Sequence, residues 1–172
     1  MRFTLSLFLI PALVLTACKK VDEETEADTA EAMGEPIGSY DIDPESGEVR
    51  ATHTDAAGVT TTMRAGEKVE ARFPEPFTAY PGADITNTTR VEQGDGAFVT
   101  VEFTTADTRD DVVEFYRSQA SKAGIEPDIE VSGGETTTLG GENREKEMRF
   151  ALQVTRVSAL TEGQLTVARG FD

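Results

Sequence analysis

The sequence predicts an α+β fold: an antiparallel, twisted β-sheet with one helix, at about residues 109–123, on one face, preceded by a small β-meander. Three observations carry this expectation. Apolar and polar residues alternate with period two in several short runs, and Gly-, Asp- and Pro-containing turns separate them. One segment, Arg109 to Ala123, switches to a helical period and has a start signal and a stop signal. The composition, 38% apolar and 28% charged over 172 residues, suits one domain of ordinary size with appendages.

The chain opens with Arg2 and an apolar run, Phe3–Leu15, interrupted by Thr4, Ser6 and Pro11. The run is shorter than the ~20 residues a membrane-spanning helix needs. Residues 1–17 therefore read as a signal peptide and stay outside the fold reasoning. Leu15-Thr16-Ala17-Cys18 resembles a bacterial lipobox, and the chain on this evidence resembles a bacterial lipoprotein with a type II signal peptide. The resemblance implies that Leu15, Thr16 and Ala17 are read by the signal peptidase and that cleavage precedes Cys18. It further implies covalent acyl chains on Cys18. One acyl chain, at ~0.8 kcal/mol per buried methylene, anchors only marginally, so two or three are required. Lys19 and Lys20 add roughly 1 kcal/mol each at an anionic surface. Lysine rather than aspartate after the cysteine implies export to the outer membrane, on its periplasmic face. Against this stands an ordinary secretory signal with a chance cysteine. Cys18 is the sole cysteine and closes the signal-like run, which favours lipidation.

Residues 18–36 form the expected tether. Val21–Pro36 holds seven acids and no base among Ala, Thr and Gly, a composition that predicts a solvated spacer. Random-coil scaling gives it a reach of roughly 25 Å. Residues 37–72 form the expected meander, with strands at Ser39–Asp43, Glu48–Thr54 and Val59–Arg64. It is thinly apolar, so it either packs on something else or moves independently.

Residues 73–172 form the expected α+β domain. Its lead-in, Phe73–Ala83, has three prolines in nine positions and reads as a strap whose Phe73, Phe77 and Tyr80 tuck under the sheet. Ile85–Val91 and Val99–Phe103 alternate around a Gln93-Gly94-Asp95-Gly96 loop, a hairpin. Thr108-Arg109-Asp110-Asp111 spells a capping box, and Gly124 a C-terminal cap. Val112, Val113, Tyr116, Ala120 and Ala123 share a face of the helix between them, with Phe115 at its border. Short strands follow at Ile129–Val131 and Glu135–Leu139. Gly140-Gly141-Glu142-Asn143 then reads as a turn into a long strand, Lys146–Val157. Leu160-Thr161-Glu162-Gly163 reads as the last turn, before Gln164–Arg169. The Tyr80-Pro81-Gly82-Ala83 lead-in, the strand pair and the Asp111–Gly124 helix together resemble a module of bacterial lipoproteins and exported proteins, over roughly residues 73–170. That resemblance brings no catalytic residues.

Patterns of catalysis are wanting. His53 is the sole histidine, and strand alternation turns its neighbours Thr52 and Thr54 to the other face. Asp110-Asp111 is explained by helix capping. Asp41–Gly47 starts like a calcium loop, but Ser46 stands where glycine is needed and Thr52 where a bidentate Glu is needed. A formal charge of −16 argues against nucleic-acid partners. No cofactor and no metal are expected beyond the acyl chains on Cys18, and no enzyme. The leading expectation is a membrane-anchored periplasmic lipoprotein whose domain binds an envelope protein partner or plays a structural role. The alternative is a binding module for a small molecule or lipid held between helix and sheet.

Overall fold

Nine strands and one helix are described over residues 38–171 of a computed structural model. In chain order they are β1 (Gly38–Ile42), β2 (Val49–Thr54), β3 (Thr60–Gly66), β4 (Asp84–Gln93), β5 (Gly96–Thr105), α1 (Arg109–Ala123), β6 (Ile129–Gly133), β7 (Thr136–Asn143), β8 (Met148–Val157) and β9 (Leu160–Arg169). All pair antiparallel in one sheet, ordered β1-β2-β3-β4-β5-β9-β8-β7-β6. The expected α+β architecture, an antiparallel sheet with one helix, is present. The meander β1–β3 is not a separate layer, however. β3 pairs with β4 from Thr61↔Gln93 to Gly66↔Thr88, which gives these thinly apolar strands the neighbour they need.

Alternation decides which side the core occupies. Val99, Val101 and Phe103 of β5, Leu165 and Val167 of β9, and Phe150, Leu152 and Val154 of β8 point to one face and are buried. α1 covers that face over β7 and β8, burying Val112, Val113, Tyr116, Ala120 and Ala123. Burial of each large side chain contributes about 1.5–3 kcal/mol. The strap completes the core as expected. Phe77 packs against Phe150 at 5.4 Å between ring centroids, and Tyr80 meets Phe115 edge-on at 5.1 Å.

Three glycines that read as turns, Gly140, Gly141 and Gly163, lie inside strands. A Cβ on Gly163 would stand 2.2 Å from Phe103 Cζ, so the bare backbone of β9 is the bed on which that ring lies. The reversal falls instead at Ser158-Ala159, where Ser158 adopts φ 55°. Gly141 likewise sits within β7, and the reversal after it is a short 3-10 turn, Arg144–Lys146.

Candidate functional site

The space between α1 and the sheet is filled. Tyr116, Phe103, Leu139, Leu152, Leu165, Val99 and Val101 are fully buried there. Burial holds the Tyr116 phenol above its ordinary pKa. The Tyr80 hydroxyl donates to Asp107 Oδ2 at 2.8 Å, and burial and that carboxylate push its pKa up to about 12. Large side chains occupy the centre of that interface.

Room for a ligand lies at the rim of this interface, where the helix ends. Gly124 takes the left-handed conformation (φ 75°) and returns its amide to the carbonyls of Ala120 and Ser121. Ile125 then turns inward and is 1% exposed, with its amide bonded to Ala120 O at 2.8 Å. β7 and the 3-10 turn after it hold this end in place. Asn143 Nδ2 donates to Gly124 O at 3.1 Å, and Lys146 Nζ donates to Ala123 O at 2.9 Å, a cation on the negative end of the helix dipole. Gly141 lets the loop approach. A Cβ there would meet Ile125 Cγ2 at 2.9 Å and Glu126 O at 3.0 Å.

The result is a cleft of about 660 Å³ between the last turns of α1, the loop through Pro127, and β7. Pro127 supplies its apolar surface over the buried Ile125, and Ser121, Glu126 and Glu142 its polar one. Arg117 closes one side. Its guanidinium donates to both oxygens of Glu130, at 3.0 and 2.9 Å, and lies 3.6 Å from Glu114. The pair holds the Glu130 carboxyl below, and the guanidinium above, its ordinary range. A second concavity, of about 570 Å³, lies at the end of the sheet beside the β4–β5 turn. Glu75, Asp95, Glu145, Glu147, Lys146 and Arg169 line it, so it offers little apolar surface. Small-molecule sites are mostly apolar with a few placed polar groups, a description that the helix-end cleft meets better.

The residues singled out in the sequence lie elsewhere. Leu15, Thr16, Ala17 and Cys18 fall outside the described residues. His53 is exposed on β2, on the face away from the helix, opposite Thr61 and Gly38. Asp43 Oδ1 accepts from the amides of Glu45 and Ser46, each at 2.9 Å, which makes Asp41–Gly47 a hairpin turn. Asp111 completes the capping box with Thr108. Among the described residues, no group of three or more His, Cys, Asp and Glu side chains could hold a metal. Nor is any described helix long and apolar enough to cross a membrane. The cleft residues were missed because Gly124-Ile125-Glu126-Pro127 carries only a helix-stop signal. The Gly140-Gly141 pair, read as a turn, was the clue to a close approach.

The START domain-like family model matches residues 85–163, from β4 through α1 to the first residues of β9. No curated protein and no solved structure matches the chain.

Proposed function

We propose that the α+β body is a binding module for a small molecule or lipid, with the helix-end cleft as the place where the ligand enters contact. The observation that carries this reading is a coincidence in sequence. Every residue lining the cleft, from Arg117 to Glu142, lies within the segment similar to the START domain-like family. The cleft's volume also falls in the range of about 300–1,000 Å³ common for such sites. An apolar ligand body would rest on Pro127 and the aliphatic stem of Arg117, while Ser121 and Glu126 meet its polar groups. No reaction is assigned to the site. The family similarity supports this reading better than the partner-binding or structural role that led the sequence-based expectations. The lipid anchor at Cys18 would hold the module at a membrane, in reach of amphipathic molecules.

Native mass spectrometry of the full chain purified from its source membranes tests the proposal. A bound small molecule is expected, and Ser121→Trp, which places an indole in the cleft from an exposed helix position, should remove it. A chain that carries nothing, or an adduct indifferent to Ser121→Trp, would overturn the assignment.

A further inference from the structure

Strands β1, β2 and β3 carry Asp41, Arg50 and Arg64 on one side. Asp41, Arg50, Arg64 and Arg90 stand in one cross-strand row with Val99, and Glu92 stands opposite Ala97, so these five charges fall on the helix side, while Asp84 (opposite Thr104) and Glu102 (opposite Asn87) stand on the other face at the far end of β4 and β5. The other face of the same strands shows Tyr40, Ile42, Val49, Met63, Val91 and Phe98, with only small or uncharged polar residues between them. Its edge is open: Tyr40 is 66% and Ile42 52% exposed. In a chain that is 28% charged, an uncharged area spanning five strands marks a surface that meets something.

We infer that this face is a self-association surface, on which a second copy of the chain packs sheet against sheet. The molecule carries a net charge of −16, so two copies meeting through other surfaces bring like charges together. Here they do not. Apolar faces that lie on bilayers are rimmed by Lys and Arg, whereas the arginines of these strands point to the opposite side. Strand spacing gives the patch roughly 500 Å² per copy, hence roughly 1,000 Å² in a pair, the lower end of specific association. A weak, reversible dimer follows, its sheets about 10 Å apart and nearly aligned.

Sedimentation velocity and native mass spectrometry of the full chain in mild detergent should show a dimer that grows in between about 1 and 100 μM, as an interface of this size implies. Met63→Glu, at the centre, should weaken it about 100-fold by burying an unpaired carboxylate. Tyr40→Lys, at the exposed edge where the fold is not at stake, should weaken it about tenfold. Thr138→Glu, on the same face but out in β7, should leave it unchanged. If Met63→Glu fails to fold, Tyr40→Lys decides. A monomer throughout this range overturns the inference, as does a dimer indifferent to Tyr40→Lys. So does a monomer whose Tyr40→Trp variant, with the chain's sole tryptophan, is quenched by brominated phosphatidylcholine vesicles, which would give the face to lipid.

Discussion

Glu48 lies just before β2 between two guanidinium groups, accepting from Arg50 Nε at 2.9 Å and Arg64 Nε at 2.6 Å, and is 7% exposed. Gly66 lets β3 pass close above it, since a Cβ there would stand 3.3 Å from Glu48 Cα. The hydrogen bonds from Arg50 and then Arg64 lower its carboxyl from an ordinary 4.5 to about 2. A carboxylate with a depressed folded pKa stabilises the fold fully above its unfolded value and loses that contribution as pH falls through the folded one. Acid titration should therefore show the thermal midpoint of the wild type falling between about pH 4.5 and 2 by more than that of Glu48→Gln, which has no charge to lose. Equal slopes in the two proteins would remove Glu48 from the account. The sequence offered Glu48, Arg50 and Arg64 as separate polar positions. Only the register Arg50↔Arg64 brings them together, and register is a property of pairing rather than of either strand alone.

Local and long-range signals agree best in the helix. Thr108 Oγ1 accepts the Asp111 amide at 3.2 Å, and Asp111 Oδ2 accepts the Thr108 amide at 3.3 Å, which is the box that the sequence spells. The turn ahead of it is fixed from afar. Arg156 Nη1 donates to Asp107 O at 2.8 Å, and Thr161 Oγ1 donates to the same carbonyl at 2.6 Å. Thr108→Ala should cost about 1 kcal/mol, read as a lower denaturant midpoint at unchanged slope. An unchanged midpoint would mean that the contacts through Arg156 and Thr161 alone set the start of the helix. Helix boundaries and the β4–β5 hairpin were legible because their signals are local. The ends of β7 and the start of β9 were not, because Gly141 and Gly163 answer to Ile125 and Phe103, side chains distant in sequence. The candidate cleft was illegible for the same reason: it exists only where that loop comes to rest on β7.

At the scale of the whole molecule, the sequence distinguishes a signal-like N-terminal segment from an acidic body. The body is a single sheet in which the hairpins β1–β2, β2–β3 and β3–β4 extend the half covered by the helix. The anchor is tested by processing. Cys18→Ala should accumulate as an uncleaved precursor without acyl chains, visible in the intact mass, and normal processing of that variant would discard the lipobox reading. The two halves of the sheet also differ in how they are held. From β5 to β8 the strands share a core sealed by Phe77, Tyr80 and α1, whereas β1 and β2 rely on ladder hydrogen bonds and the Glu48 ion pairs.

The position of β1 has a mechanical consequence. It is both the first strand of the chain and an outer edge of the sheet, bonded only to β2. Tension applied through residues N-terminal to Gly38 falls first on that edge. It would peel β1 from β2 one residue pair at a time, beginning at Gly38↔His53, rather than load the whole ladder at once. Such a strand yields at low force and re-forms when the load is released, while the strands beneath α1 stay folded. An anchored chain would thereby gain five residues of extension, Gly38–Ile42, before its core felt any strain.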